Sequence, residues 1–311
     1  MNYRGQTRYN FLKYGSKKYS ILAPLILEKI MKKSVGSIEE LVAWVKSLEV
    51  SYGEQQDKSL ILFRGQSKDR PLLPSVTRKD ANVNTEKLER WLLGEFRRRL
   101  AREPDIAGMD DWDLLIYAQH FGLPTRLLDW SSNPLFALWF ACRKSESKDD
   151  GQIYALCVTD KWILNTSSES NQCPFDISRT AVLKPNVNNS RVRAQSGWFT
   201  AHTYSSFAGR FVDLRDNTSI TKKTDDGHPG RVVQISVPNA RKPDLLKFLD
   251  RFGVNEETVY PGPEGTANYL KWLKQKELTA PPLGGVQLKV KPSVRAAKKV
   301  RSSTVPKVKV R

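Results

Sequence analysis

Apolar residues recur three and four positions apart in SIEELVAWVKSL, where Ile38, Leu41, Val42, Val45 and Leu48 predict a helix. Ser37 and Glu40 precede it with the spacing of a capping box. The same helical period runs through TEKLERWLLGEFRRRLARE and through WDLLIYAQHFGL, the latter stopped near Gly122 and Pro124. Short apolar runs that end at turn residues predict strands in SLILFRG, TRLLDW, GQIYALCVT, RVRAQSGWFTAHT and GRVVQISVP. SSNPLFALWFACRK is apolar on nearly every side of a helix, so it belongs in the interior, capped by Ser132 or Asn133 with Pro134 in its first turn. KPDLLKFLDRFGV, with Gly253 near its end, and EGTANYLKWLKQKEL complete the helices.

Strands and helices alternate irregularly, and neither a Gly-rich dinucleotide fingerprint nor a phosphate-binding P-loop is present. The expected fold is α+β, with a small mixed or antiparallel sheet flanked by helices. Hydrophobic residues make up 39% of the 311, enough for a core, and no apolar run reaches the roughly 18–20 residues of a membrane span. Three cysteines without metal spacing indicate free thiols and a reducing, cytoplasmic setting. Three scattered histidines give no zinc signature, so no metal is expected.

Charge divides the chain. Residues 1–33 hold eight Lys/Arg against one acid, residues 278–311 hold nine against none, and the net charge is +18. The middle, with 34 basic and 32 acidic residues, is nearly neutral. This predicts a basic N-terminal extension (1–36), one central domain (37–277) and a basic, flexible tail (278–311). Such ends suit a polyanion, RNA or DNA, because each phosphate contact releases counterions.

Four stretches crowd polar groups against apolar walls. Phe63-Arg64-Gly65-Gln66 ends a strand, with a planar cation beside a residue that permits close approach. Residues 118–134 carry Gln119, His120, Thr125, Arg126, Asp129, Trp130, Ser131, Ser132 and Asn133, which form either a structural network or a cleft. Gln195 is expected on a strand, facing the core or a cleft, beside Gly197. Glu264, in a turn before the last helix, suits the positive end of a helix dipole. No nucleophile elbow and no carboxylate cluster for two-metal chemistry is visible.

SIEELVAWVKSL, LFRGQ, LLPSVTR, AQHFGLPTRLLDWSSNPLFALWFA, RVRAQSGWF and FGVNEETVYPGPEGTANYLKWL together resemble the FRG domain over about residues 37–273. That domain is similar, at a distance, to ADP-ribosyltransferases. The resemblance implies NAD as substrate, nucleic acid as acceptor with RNA favoured over DNA, a toxin or phage-defence role, and an antitoxin as partner. It assigns Arg64 to phosphate or the adjoining ribose, Ser131 to orienting the ribose or supporting the first strand, Phe121 or Trp130 to nicotinamide stacking, and His120 to a ribose hydroxyl or the acceptor. Gln66 and Arg126 join the cofactor-binding set. Gln195 stands where the transferases have Glu, and an amide cannot take a proton; Asp129 and Glu264 are the carboxylates that could. Two alternatives stay open: a non-catalytic nucleic-acid-binding adaptor, and a metal-independent ribonuclease using His120 and Asp129.

Overall fold

Leu60 and Leu62 alternate with Ile61 and Phe63 in strand β1 (Ser59–Gln66), so both faces are apolar and the strand lies inside a two-sided sheet. The computed structural model describes residues 34–53, 59–144, 148–164, 173–185, 194–216 and 231–279. The basic ends at 1–33 and 280–311, with Arg191 and Arg193, lie outside them. Among the described residues six strands form one sheet in the order β4-β5-β2-β1-β3-β8. These are β2 (Leu127–Ser131), β3 (Gly151–Thr159), β4 (Ala181–Leu183), β5 (Gly197–Ala201) and β8 (Arg231–Val237) around β1. Every neighbouring pair is antiparallel, which settles the choice between mixed and antiparallel. Two short strands, β6 (Tyr204–Ser205) and β7 (Arg210–Phe211), pair separately. The α+β expectation holds.

Adjacent residues feed opposite cores, as the strand pleat requires. Leu127 and Leu183 join Phe199 and the helices α2 (Glu86–Arg99) and α3 (Asp111–His120) on one side, through Leu93, Trp112 and Leu115. Leu128 and Val182 join Leu62, Leu72, Trp130, Tyr154 and Leu156 on the other. Helix α1 (Ile38–Leu48) buries Leu41, Trp44 and Leu48, and Trp44 meets Phe63 edge-on at 6.1 Å. Val42, expected on that stripe, is exposed, because Leu41-Trp44-Leu48 already defines the inward face. Ser37 Oγ accepts from Glu40 N–H as the cap predicts, but the Glu40 carboxylate accepts from Gly36 N–H.

Helix α4 (Pro134–Cys142) is buried at Phe136, Ala137, Leu138, Trp139, Ala141 and Cys142, and Asn133 caps it by accepting from Leu135 N–H at 2.9 Å. It lies against β1 and β3 because two glycines leave room. A Cβ on Gly65 would fall 1.8 Å from the Ala137 carbonyl oxygen, and one on Gly151 2.5 Å from that of Ala141. Helices α5 (Lys242–Arg251), α6 (Glu256–Val259) and α7 (Pro263–Thr279) follow β8. Glu264 is in the first turn of α7 rather than ahead of it. Two compact units divide at Tyr269 and Leu270, and the described part of the second is only the end of α7. No helix among the described residues is long and apolar enough to cross a membrane.

Candidate functional site

Strand β1 pairs β3 at eight successive positions, from Ser59↔Thr159 to Gln66↔Gln152, yet it meets β2 at a single one, Phe63↔Ser131. Strand β2 is fully paired on its far side, from Leu127↔Ala201 to Ser131↔Gly197. The sheet is therefore two three-stranded halves joined at one register pair. Arg64 stands just past that join, on the opposite face of the pleat from Phe63 and Ser131. Its Nη1 donates to the Asp129 backbone carbonyl at 2.6 Å and lies 3.6 Å from the Asp129 carboxylate. The guanidinium thus supplies across the join a bond that the ladder does not make. Its Nε is buried and meets no partner among the described residues. Burial pulls the Arg64 pKa below its ordinary value, the Asp129 charge opposes this, and the Arg78 charge adds to it.

Asp129 is held from its other side. Gln119, at the end of α3, donates from Nε2 to Asp129 Oδ1 at 2.7 Å, and Thr125 Oγ1 donates to Gln119 Oε1. Thr125 in turn is fixed by Ser75: its N–H donates to Ser75 Oγ at 3.1 Å, and the Ser75 hydroxyl donates to the Thr125 carbonyl at 3.3 Å. The sequence placed Gln119 and Thr125 in a polar cluster without a role. They set the orientation of a carboxylate whose side chain remains 60% exposed beside Arg64.

Ser131 Oγ donates to the Gln195 carbonyl at 2.7 Å and accepts from Asn133 N–H at 3.0 Å. Gln195 lies in a turn before β5, not on the strand as expected. The strand starts only at Gly197, after Ser196 takes a left-handed φ of 48°. The Gln195 amide donates from Nε2 to the Val259 carbonyl at 2.9 Å. Trp130 is buried, with Nε1 donating to Thr200 Oγ1 at 3.1 Å, so its ring packs in the core. Gln66 is the half-buried last residue of β1, and His120 ends α3, edge-on to the exposed ring of Phe121. His120 packs against Phe121, while Asp129 is engaged by Arg64 and Gln119.

Arg126 is committed to the fold. Its Nε and Nη2 each donate to the Glu89 carboxylate at 3.0 Å, Nη1 donates to the Pro174 carbonyl at 3.3 Å, and the guanidinium lies 4.7 Å over the Phe175 ring. Both partners are almost fully buried. Each guanidinium nitrogen thus makes a bond within the fold, at a residue for which the sequence suggested a cofactor contact. Glu89→Gln should cost about 3–5 kcal/mol, because it strands a buried cation; urea unfolding of the variant checks this.

The face that carries Arg64 holds polar groups that the sequence gave no reason to join. Tyr154 Oη donates to Asp69 at 2.8 Å, and Arg215 donates to Asp69 at 2.9 Å and to Asp213 at 2.7 and 2.9 Å. Asp213 also accepts from Leu72 N–H at 3.0 Å, which ties the segment after β1 to the segment after β7. His202 is fully buried, with Nε2 3.1 Å from Thr200 Oγ1. Burial, then the charges of Arg64 and Arg126 against a weaker pull from Asp213, hold its pKa down at about 3 from the ordinary 6.5. Below pH 6.5 the unfolded chain therefore binds a proton that the fold refuses. Stability should fall by about 1.4 kcal/mol per pH unit from this group as pH drops from 6.5 towards 3. Urea midpoints at pH 7 and pH 5 should show the loss, and His202→Gln should remove its share of the slope.

Among the described residues no group of three or more His, Cys, Asp or Glu could hold a metal ion. Residues 59–150 match the family model of the FRG domain. That span runs from β1 through α4 and contains Arg64, Asp129 and Ser131, whereas Gln195 and Glu264 lie beyond it. No curated protein and no solved structure matches the chain.

Proposed function

We propose that this chain, which carries an FRG domain over residues 59–150, is an NAD-dependent ADP-ribosyltransferase acting on nucleic acid. The observation that carries the reading is the join Phe63↔Ser131, which sets the Arg64 strand beside the Ser131 strand, while Ser131 Oγ holds the Gln195 turn. Arginine, serine and the position of the expected acid so come from three neighbouring strands or their ends, as the resemblance requires. In the reaction the nicotinamide–ribose C–N bond breaks, nicotinamide leaves with the electron pair, and an acceptor oxygen or nitrogen bonds to the ribose carbon and gives up its proton. Arg64 holds the pyrophosphate of the dinucleotide and so fixes the position of the nicotinamide–ribose bond. Asp129, exposed and oriented by Gln119, is the base that takes the acceptor proton in place of an acid at 195. Ser131 acts as a positioning residue through the Gln195 turn.

A second reading, binding of nucleic acid without turnover, is favoured by Gln195 itself. It has no proton-accepting group, and its amide is engaged by the Val259 carbonyl. Incubation with NAD labelled in the adenylate half, with separate pools of RNA, DNA and protein, decides between them. Released nicotinamide with label in a nucleic-acid pool supports transfer. Salt-sensitive RNA or DNA binding with NAD left intact supports the second reading.

A further inference from the structure

We propose that Arg78 and Arg64 together form a two-guanidinium subsite for a phosphate group at the gap between β1 and β2. The placement of Arg78 follows from hydrogen bonds that tie its turn to β2. Val76 N–H donates to the Thr125 carbonyl at 3.3 Å, Ser75 exchanges two bonds with Thr125, and Arg78 N–H donates back to the Ser75 carbonyl at 3.4 Å. Thr77 is buried beneath the turn and donates to the Pro74 carbonyl. The short 3-10 turn Ser75–Thr77 is thereby fixed beside the residues that orient Asp129, and Arg78 leaves it into solvent.

Two facts make this a site rather than a surface. Arg64 keeps a buried Nε–H with no acceptor among the described residues, and a buried donor without a partner is rare in folded proteins. Arg78 has no hydrogen-bond or ion-pair partner for its side chain among the described residues, and its turn is bonded to Thr125, which through Gln119 orients the Asp129 carboxylate 3.6 Å from Arg64. Two like charges, one of them sheltered from water, repel until an anion lies between them. A phosphate offers several acceptors and matches the planar guanidinium fork. The carboxylate beside Arg64 is that of Asp129, and Gln119 Nε2 holds one of its oxygens. A bound phosphate must lie next to that negative charge, which weakens binding.

The phosphate has two sources, a dinucleotide pyrophosphate or the backbone of a nucleic acid, and only the first rests on the transferase reading. The test is calorimetric titration of the full chain with inorganic pyrophosphate, ADP and a single-stranded oligonucleotide. Arg78→Ala should weaken pyrophosphate binding by about tenfold to a hundredfold, the range for a hydrogen bond to a charged group. Arg78→Lys should recover part of the loss, and Asp129→Asn should tighten binding. Because Arg78 is exposed, Arg78→Ala should keep the wild-type unfolding midpoint. A loss for pyrophosphate and ADP places the dinucleotide in the subsite. A loss confined to the oligonucleotide keeps the subsite and assigns it to the acceptor backbone. Equal affinities in wild type and Arg78→Ala for all three ligands would overturn the proposal, as would a wild-type protein that binds none of them. Pyrophosphate binding that depends on Arg78, without nicotinamide release, would uphold the subsite and reject the transferase.

Discussion

Arg64→Ala should fold and yet release nicotinamide from NAD about a hundredfold more slowly than the wild type, the loss that follows when a contact that positions the reacting bond is removed. The side chain is only 15% exposed, and among the described residues its one hydrogen bond runs to the Asp129 carbonyl. Truncation therefore leaves one backbone acceptor short, at about 1–3 kcal/mol, which a domain of this size should survive. Arg64→Lys keeps the charge but loses the planar fork, so it should recover binding better than turnover. Chromatographic assay of nicotinamide, with circular dichroism as the check on folding, reads the result. Wild-type rates in a folded Arg64→Ala protein would remove this residue from the mechanism.

Gly65→Ala should destabilise the domain severely. The added carbon would lie 1.8 Å from the Ala137 oxygen, 2.7 Å from its carbonyl carbon and 2.8 Å from the Ala141 nitrogen. All three atoms belong to the backbone of a buried helix, so no rotamer change relieves the clash. Helix α4 must lift off β1, giving up burial across the centre of the sheet. The expected cost is above about 4 kcal/mol, in the range that marks a named structural fault. Soluble yield and the thermal midpoint measure it. Gly94→Ala is the matched control: a Cβ there meets nothing within 4 Å on the exposed side of α2, and the change should stabilise by about 0.5–1 kcal/mol. Loss in both variants would show that the Ala137 contact is not the cause.

The helices and strands were legible because their apolar spacing is strong. Leu127 and Leu128 go to opposite cores as a strand predicts, and Pro134 with Asn133 marks the start of α4 within a residue. The turn at Gln195 was not legible. RVRAQSGWFTAHT reads as a strand plus a turn with Gln195 on the strand, whereas Gln195 and the left-handed Ser196 form the turn, with Ser131 bonded to the Gln195 carbonyl. Arg64 with Asp129 was legible as chemistry, because both stand out among apolar neighbours. Arg126 looked equivalent by that criterion, and its commitment to Glu89, 37 residues earlier, depends on helix packing that no local pattern reveals. Arg78 lay in a stretch that carries the resemblance but had no role assigned, and Asp69 and Asp213 gave no signal, since their bonds join segments far apart in sequence.

A sheet fastened between its halves at one register pair has its lowest mechanical strength along that line. Thermal breathing will concentrate there, and the Arg64–Asp129 bond is a second tie across it. An anion that draws the guanidinium away must take it from the opposite half. Occupancy and the width of the opening are then governed by the same contact, so a ligand of the wrong size is resisted by the elasticity of the sheet as well as by the side chains it meets.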